Sequence, residues 1–457
     1  MNPLLPNSDK NITKKMLDYL EIDSIDELFS DVPDDLLYDK DLEIPHAKSE
    51  FEIERMITSK LAKNKTINTN FLGGGMYHTY VPSVVDELAT RSEFLTSYTQ
   101  YQSEASQGIL QAMFEYQSMM CDLTQMDIVN SSMYDWGTSL AEAIRMAIRI
   151  NKKNRIITFR NTGKERIDIL RTYSEPLGIQ LDILDYKNDG QIDYQQLQNK
   201  MSDDVSAVYV EHPNLFGILE EQLDDISALI HRKNGLLIMG IDPISLGLIK
   251  PPGEYNADIV IGEGQNLGLH MNYGGPSFGI FAAKGDNKII RQMPGRIIGL
   301  ANSIDYEERG FSMIMQTREQ NIRRENATSN ICTNQTLCVV AAAIYMASLG
   351  ETGIKELAAS INIKSQYANK LINEIDIFKN KFESPFFREF TIEVNNKKYT
   401  SKDIIEHLVK KDVFVGPRLD TWFEELEKCF NIAISDVHSE TDVNNLIKHL
   451  KEIQNEL

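Results

Sequence analysis

The sequence predicts an α/β fold in which a mostly parallel sheet is flanked by helices. Between residues 130 and 290, short apolar runs rich in β-branched residues alternate with amphipathic stretches of helical period. Strand and helix patterns that alternate at this spacing favour parallel strands covered by helices. The runs predicted to be strands are 155–159, 179–184, 205–210, 236–241, 258–261 and 277–282.

The two ends of the chain differ in pattern from this middle region. Near the N-terminus the sequence is charged and helical, and Ser24 to Glu27 match a capping box ahead of an apolar pair. Long helices are predicted from Phe311 to about Lys379. The predicted parts are an N-terminal helical arm over 1–70, a large α/β domain over 71–330, and a helical connection with a small α+β C-terminal domain over 331–457.

The composition excludes several classes of function. The chain has 457 residues and a net charge of -20, which disfavours nucleic acid and anionic lipid as partners because both are polyanions. Its four cysteines show no CxxC spacing, so neither a zinc site nor a disulfide framework is indicated. We expect no signal peptide, since the first fifteen residues lack an apolar core, and no stretch of about 18 apolar residues that could span a membrane. A cytoplasmic protein is predicted.

A turn rich in small hydroxyl residues opens the α/β region, over 130–143. Ser139 and Glu142 match a capping-box pair, which predicts that a helix starts here. The hydroxyl residues of interest are Ser131, Ser132 and Thr138. Because the first N–H groups of a helix have no partner within the helix, such a turn is suited to an anion such as phosphate. The alternative is that these residues are ordinary helix caps.

Asp242 directly follows the apolar run 236–241, so it lies at the carboxyl end of a predicted strand. Ligands of open α/β sheets bind at that edge. A carboxylate there could pair with the ring nitrogen of a pyridine cofactor and keep it protonated. The alternative is that Asp242 caps the turn that begins at Pro243.

The glycine-rich loops do not indicate a nucleotide site. Gly262 to Gly268 follows a strand, but its second gap is one residue too long for a dinucleotide fingerprint and no helix pattern follows it. Gly73 to Gly75 lack the Lys-Ser/Thr of a phosphate loop, so close turns of the backbone are the expected use.

The segment 317–325 carries three arginines, of which Arg318 and Arg324 could bind a carboxylate or a phosphate.

These segments in combination resemble the glycine cleavage system P-protein family, in its alpha-subunit (subunit 1) form. The resemblance runs from Asn2 to at least Gly350 and weakens beyond about Lys379. It is carried by the segments FLGGGMYHTYVP (71–82), RSEFLTSYTQYQ (91–102), SQG (106–108), NSSMYD (130–135), GEGQ (262–265) and QTREQNIRRENATSNICTNQ (316–335). Trp136 and Gln125 stand where smaller residues or glycine are more familiar in this family.

The resemblance implies a fold-type I pyridoxal-phosphate architecture. It also implies decarboxylation of glycine and transfer of the aminomethyl group to the lipoyl arm of the H-protein. In split members of the family, the lysine that binds the cofactor resides in the beta subunit. This sequence agrees, because no lysine occurs between Gly262 and Met271, where a Schiff base would need one. Lys250 and Lys284 are the nearest lysines along the chain, and both are poorly placed for that role.

The resemblance therefore implies a lysine-less subunit of an α2β2 assembly, with pyridoxal phosphate bound by the partner beta subunit (subunit 2). In this chain, Ser131, Ser132 and Thr138 would be a vestigial phosphate cup and Asp242 a vestigial acid for the ring nitrogen. The residues predicted to reach a shared active site, where they would position glycine and the lipoyl arm, are Tyr98, Tyr101, Gln102, Glu104 and Arg318. The alternative for those residues is that they only pack the subunit interface.

Two other functions stay open at this point. One is a self-sufficient pyridoxal-phosphate transaminase or decarboxylase that uses Lys250 or Lys284. The other is a non-catalytic scaffold that stabilises its partner. No metal site is expected, because the sequence shows no HExxH helix and no cluster of acidic residues with metal-ligand spacing.

Overall fold

The computed structural model describes residues 9–38, 40, 42–64, 67, 69–95, 100–302, 304 and 308–455. Its helices are α1 Lys10–Leu20, α2 Glu50–Leu61, α3 Ser83–Ala89, α4 Ser92–Leu95, α5 Gln107–Thr124, α6 Trp136–Asn151, α7 Lys164–Ser174, α8 Tyr194–Lys200, α9 Leu223–Arg232, α10 Asn287–Ile290, α11 Gln320–Arg323, α12 Thr336–Asn373, α13 Ser401–Lys410 and α14 Glu440–Asn455. Its strands are β1 Thr69–Leu72, β2 Ile128–Val129, β3 Arg155–Phe159, β4 Gln180–Leu184, β5 Val205–His212, β6 Leu236–Ile241, β7 Ile259–Glu263, β8 Gly279–Ala283, β9 Ile297–Asn302, β10 Arg309–Ile314, β11 Phe378–Asn380, β12 Glu389–Val394, β13 Val413–Gly416 and β14 Cys429–Ala433. The chain divides into two compact units, Met1–Lys65 and Thr66–Leu457.

A seven-stranded sheet organises the larger unit, with strand order β2-β8-β7-β6-β5-β3-β4. The five strands from β7 to β4 are parallel, and β8 runs antiparallel to both β7 and β2. The central strands β5, β7 and β8 are buried along their whole length. Helices cover the sheet, so these strands read as continuous apolar runs rather than as alternating ones.

The predicted fold class is confirmed, and most strand boundaries agree with the prediction to within two residues. The run 236–241 is β6 with the same bounds, and 155–159 is β3. The run 277–282 is also a strand, but it starts at Gly279 and lies antiparallel. The sheet is therefore mostly parallel, with β8 as an antiparallel strand next to the edge strand β2.

The segment that begins near Phe311 differs from the prediction of long helices. Residues 309–314 form β10, which pairs with β9 as an antiparallel hairpin, and only short helical turns lie between β10 and α12. The reason is local: residues 309–314 contain a glycine and β-branched or aromatic residues that favour a strand once a partner strand is adjacent. Beyond α12, strands β11, β12 and β14 form an antiparallel sheet with its own core.

One described helix, α12, has the length and mean hydropathy of a membrane span, which the sequence prediction had excluded. Half of its most apolar window is buried inside the protein. Gly350, at φ 61° and ψ -175°, interrupts the helical backbone in its middle. Residues such as Val339 and Ala342 pack in the same core as the central sheet. The apolar character of α12 is thereby accounted for by its place in the core.

The smaller unit consists of α1, α2 and short turns. Asp9 caps α1, and the capping box predicted at Ser24 and Glu27 is confirmed at the start of a short turn, Ile25–Phe29. None of the described side chains between residues 9 and 64 is buried. This unit therefore has helices but no core of its own.

Candidate functional site

The carboxyl edge of the central parallel strands carries the candidate site. Three carboxylates end or directly follow neighbouring strands: Glu211 on β5, Asp242 after β6, and Glu263 at the end of β7. All three side chains are buried. Because charge is costly to bury without partners, each of them needs a cation or several hydrogen-bond donors.

Helix α6 begins at this edge, with Asp135 as its N-cap. Asp135 accepts from the N–H of Thr138, whose hydroxyl in turn contacts the N–H of Asp135. The helix start was thus predicted, but the predicted capping pair, Ser139 and Glu142, was wrong. Ser139 already lies in the first turn, where its hydroxyl donates to the carbonyl of Asp135. Two capping sequences, 135–138 and 139–142, follow one another directly, and the earlier one closes the box.

A carboxylate of the chain itself lies at the N-terminus of α6. The N–H of Trp136 donates to Glu263 Oε2 at 3.3 Å, and Gln265 N–H and the Ser277 hydroxyl also donate to Glu263. Burial raises the pKa of Glu263 to about 7, although these hydrogen bonds act in the opposite direction. The position suited to a phosphate therefore holds an internal acid.

The predicted cup residues are satisfied within the chain. Ser131 donates to the carbonyl of Arg296 and accepts from Asn334, and the Ser132 hydroxyl accepts from a backbone N–H of the segment before α12. Thr138 belongs to the α6 cap. Ser131 and Ser132 are fully buried. The Ser131 and Ser132 hydroxyls cross-link loops rather than cap a helix, so the simpler alternative of an ordinary helix cap holds for Thr138 alone.

A stacked group of side chains fills the space in front of α6. The guanidinium of Arg166 lies 4.2 Å from the centroid of the Trp136 ring and donates to both oxygens of Glu211, at 2.6 and 3.0 Å. Trp136 Nε1 donates to the Tyr209 hydroxyl at 3.0 Å, and that hydroxyl donates to Glu211 at 2.9 Å. All four side chains are buried, so this forked ion pair is dry and strongly directional.

Asp242 faces an arginine from the C-terminal sheet. Arg388 Nε lies 2.9 Å from Asp242 Oδ2, and Asn266 donates to Oδ1 at 2.7 Å. Asp242 Oδ1 also accepts from the N–H of Ile244, so the alternative that Asp242 caps the turn after β6 is confirmed. The Arg388 guanidinium lies 4.4 Å from the centroid of the Tyr77 ring. Asp242 thus already faces a cation of the chain, although the guanidinium nitrogens of Arg388 are buried without a hydrogen-bond partner among the described residues.

The remaining space at this edge is small. Glu389 accepts from the N–H of Gly74 at 2.9 Å and from the Tyr77 hydroxyl at 3.1 Å, and burial raises its pKa to about 7. Gly74 has a φ of 92°, a turn that favours glycine, as the sequence predicted for this loop. The cavity left between Gly75, Trp136, Arg166 and their neighbours is about 20 Å³. Ligand pockets typically have roughly 300 to 1,000 Å³.

Neither candidate lysine reaches this edge. Lys284 Nζ lies 2.8 Å from Asp258, which precedes β7 and therefore lies at the opposite, amino edge of the parallel strands. Lys250 Nζ pairs with Asp224 at 3.2 Å and lies 4.1 Å from the Tyr255 ring centroid. The residues around the cavity of about 20 Å³ do not fit pyridoxal phosphate, because they supply no amine and leave too little space between Trp136, Arg166 and Asp242 for the cofactor.

The residues predicted to reach a shared active site lie on exposed or loop segments, except that Tyr98 is outside the described residues. Tyr101 is 39% exposed, and its hydroxyl accepts from Arg296 at 2.8 Å. Gln102 and Glu104 are exposed at a short turn before α5. Arg318 is buried, and its three nitrogens donate to the carbonyls of Met315, Met293 and Gly295.

One short segment, Met293 to Arg296, brings several of these predicted residues together. Arg318 donates to the carbonyls of Met293 and Gly295, Ser131 donates to the carbonyl of Arg296, and the Arg296 side chain contacts Tyr101. The sequence reasoning did not single out this segment. It also missed Arg166, Tyr209, Glu211 and Arg388, whose partners come from distant parts of the chain.

The chain is similar along its full length to known proteins of one family. A model of the glycine cleavage system P-protein family matches residues 4–450. A "Probable glycine dehydrogenase (decarboxylating) subunit 1" of Staphylothermus marinus is 48% identical, covering 100% of this chain and 99% of its own. One of the same name from Saccharolobus solfataricus is 43% identical over 99% and 98%.

Solved structures give the same result for the fold. A crystal structure of glycine decarboxylase (P-protein) of the glycine cleavage system, in inhibitor-bound form, is 34% identical with a TM-score of 0.87, covering 99% of this chain and 100% of that chain. Lactobacillus brevis glutamate decarboxylase shares the fold at 12% identity, with a TM-score of 0.70 over 94% and 98%. On the full-length family match and these identities, the chain belongs to the glycine cleavage system P-protein family.

Proposed function

We propose that this chain is subunit 1 of a two-chain glycine dehydrogenase (decarboxylating), in which the partner subunit supplies the lysine that binds pyridoxal phosphate. The assembly would decarboxylate glycine and transfer the aminomethyl group to the lipoyl group of the H-protein. We place it in the cytoplasm as an α2β2 assembly. Membership of the P-protein family and the fold shared with glutamate decarboxylase support the dependence of the reaction on pyridoxal phosphate.

The observation that carries this proposal is the filled carboxyl edge of the central sheet. Glu263 takes the helix N-terminus, Arg388 neutralises Asp242, and Trp136 with its stacked arginine fills the space between them. A chain with this edge keeps the shape of a cofactor enzyme but supplies no amine. The name "subunit 1" of its relatives supports the existence of a second chain that completes the site.

In this proposal, the chain's own residues position substrate and exclude water at a site shared with the partner. The exposed residues Tyr101, Gln102 and Glu104 are our candidates, because their side chains are accessible and Tyr101 is held by Arg296. Arg318 acts indirectly, since its donors are directed at backbone carbonyls. No proton transfer is assigned to this chain.

The alternative function, a self-sufficient cofactor enzyme, is disfavoured because Lys250 and Lys284 form ion pairs away from Asp242. The rival of a pure scaffold differs from our proposal only in whether side chains of this chain reach substrate. An exchange assay separates the two. It measures incorporation of labelled carbon dioxide into glycine by the partner subunit and H-protein, with and without this chain.

Tyr101→Phe is the informative variant for that assay, because it removes one hydroxyl and leaves the ring. We expect at least a tenfold loss of exchange with unchanged assembly. Tyr367→Phe is the matched control: this residue is similarly exposed, 38%, and its hydroxyl contacts Asn444 on α14. If this chain is needed only for assembly, both variants should exchange carbon dioxide as fast as the unaltered chain. That result would support the scaffold.

A further inference from the structure

A cavity lies in the larger unit between the C-terminal end of α5, the loop that follows β6, and the middle of α12. Its volume is about 560 Å³, which is within the roughly 300 to 1,000 Å³ of ligand pockets. Among the described residues, those that line it are different from those that line the small cavity beside Trp136 and Asp242. It is therefore separate from the filled carboxyl edge.

The floor of this cavity is apolar. Leu246 from the loop and Met346 and Ile354 from α12 line it, and all three are buried. Met119 and Leu123 line it from α5, where their spacing of four residues places them on one face of the helix. A floor of this kind favours a ligand with methylene groups, because contact removes apolar surface from water on both sides.

Close contacts between the walls hold the cavity in shape. A Cβ on Gly247 would lie 2.6 Å from the carbonyl oxygen of Ile354, so the loop packs directly on α12. A Cβ on Gly253 would lie 1.9 Å from the carbonyl oxygen of Gln125, so the loop also packs on the end of α5. Only glycine allows such close approach. The cavity is thus bounded by elements that contact one another.

The rim of the cavity is acidic. Asp122 on α5, Glu254 in the loop and Glu351 on α12 all line the cavity and are exposed. Glu351 pairs with Lys355, the one basic residue of the lining. Among the described residues, neither Asp122 nor Glu254 has an ion pair or a hydrogen bond to its carboxylate. The lining therefore has a net charge of -2.

Charge and shape together indicate the class of ligand. The net charge disfavours an anion. A bound metal ion is disfavoured because no group of three or more acidic, histidine or cysteine side chains that could hold one occurs among the described residues. Lys250, in the same loop, pairs with Asp224 and leaves the rim uncompensated. A linear polyamine fits, because its ammonium groups are separated by methylenes that can cover the apolar floor.

We propose that this cavity binds a linear polyamine, an aliphatic chain that carries two or more ammonium groups. Asp122 and Glu254 each bind an ammonium group, while Met346 and Ile354 contact the methylenes between them. The site is independent of the proposed function, because it shares no lining residue with the carboxyl edge. A ligand that binds only the folded chain stabilises it, so the polyamine should raise the temperature of unfolding.

The test uses the full chain and spermidine, with binding measured by calorimetry. Asp122→Asn/Glu254→Gln removes both unpaired carboxylates of the rim, and we expect it to weaken spermidine binding at least tenfold. Glu356→Gln/Glu374→Gln is the matched control. It changes the net charge equally, at two exposed residues in and after α12 that do not line the cavity, and should bind like the unaltered chain.

Three further measurements separate this site from general attraction between opposite charges. Lys355→Met should bind spermidine more tightly, because it removes the one cation of the lining and frees Glu351. Hexylamine has a single ammonium group and magnesium has no methylenes, so both should bind at least tenfold more weakly than spermidine. Hydrogen exchange of the unaltered chain over 346–355 should slow when spermidine is added.

Four results would overturn the proposal. The first is a lack of spermidine binding by the unaltered chain. The second is equal weakening in the two double variants, since the general negative charge of the chain would then hold the amine. The third is binding of hexylamine or magnesium as tight as that of spermidine. The fourth is unchanged hydrogen exchange over 346–355, which would place the bound amine elsewhere.

Discussion

Arg388 Nε lies 2.9 Å from Asp242 Oδ2, in a place where both side chains are buried. Asp242 directly follows the central strand β6, whereas Arg388 directly precedes β12 in the C-terminal sheet. The pair therefore joins the two sheets of the larger unit at the edge where an α/β enzyme binds its ligand. It gives Asp242 a permanent cation of the chain itself.

Arg388→Met should destabilise the chain strongly, because it leaves the Asp242 carboxylate buried without its cation. Removal of one partner of a buried ion pair typically costs about 3 to 5 kcal/mol. Arg388→Met/Asp242→Asn should recover most of that loss, since neither charge then remains. The free energy of unfolding in urea measures both variants.

Lys355→Met provides the comparison, because Lys355 forms an exposed ion pair with Glu351 on α12. Exposed pairs contribute about 0 to 1 kcal/mol. A cost of Arg388→Met no larger than that of Lys355→Met would contradict a stabilising role of the Arg388–Asp242 pair.

The isolated chain should take up no pyridoxal phosphate at the sheet edge. The free cavity there is about 20 Å³, and Lys250 and Lys284 are engaged elsewhere. After incubation with the cofactor and dialysis, we expect no visible absorbance of a lysine Schiff base, whereas the second subunit should retain it. Retained absorbance that disappears in Lys250→Arg or Lys284→Arg would instead favour a self-sufficient enzyme.

The fold could be predicted because its signals are local. Strand β6 is a continuous apolar run in a sheet covered on both faces, so its bounds and the place of Asp242 after it follow from the sequence alone. Strand β10 could not be predicted in this way. It depends on pairing with β9, and such pairing is a tertiary effect that overrides a short local pattern.

The side chains that fill the carboxyl edge of the central sheet could be predicted only in part. The absence of a lysine and the unusual Trp136 are visible in the sequence, but the partners of Asp242 and Glu211 are not. Arg388 and Arg166 reach them from other elements, and a single sequence contains no signal for such long-range pairs. The capping pair at α6 was misplaced because two sequences with the same spacing, 135–138 and 139–142, adjoin each other, and only the chain path selects between them.

Glu263→Gln should make the stability of the chain less dependent on pH. The pKa of Glu263 in the folded chain is about 7, above its ordinary value of 4.5, because burial disfavours the charged form. The folded state then binds more protons than the unfolded state between these values, so stability falls as the pH rises from 4.5 to 7. Glu263→Gln has no carboxyl to titrate, so its free energy of unfolding does not fall in this way. In the unaltered chain the fall amounts to up to about 3 kcal/mol above pH 7.

The measurement is the difference in unfolding free energy between the variant and the unaltered chain at several pH values. Glu220 and Glu389 also have pKa values raised to about 7 by burial, and His212 and His438 have values lowered to about 4. These groups are common to both chains and cancel in the difference. A difference that stays constant from pH 5 to pH 8 would mean that Glu263 is ionised throughout.

Arg318→Ala should loosen the segment from Met293 to Arg296 and lower activity indirectly. Arg318 donates to the carbonyls of Met315, Met293 and Gly295, and these charge-assisted bonds hold the segment that also contacts Ser131 and Tyr101 through Arg296. Its loss should raise amide exchange over 293–296 at least tenfold and reduce glycine–carbon dioxide exchange in the reconstituted pair. Arg318→Lys should behave similarly, because an ammonium group cannot reproduce the planar fork.

Arg324→Ala is the control for that prediction, since Arg324 is an exposed arginine in the same segment of sequence. In the Arg324→Ala variant, amide exchange over 293–296 should match that of the unaltered chain. Unchanged amide exchange in Arg318→Ala, together with lost activity and partial rescue by Arg318→Lys, would contradict a positioning role. That outcome would place the positive charge of Arg318 itself against the substrate.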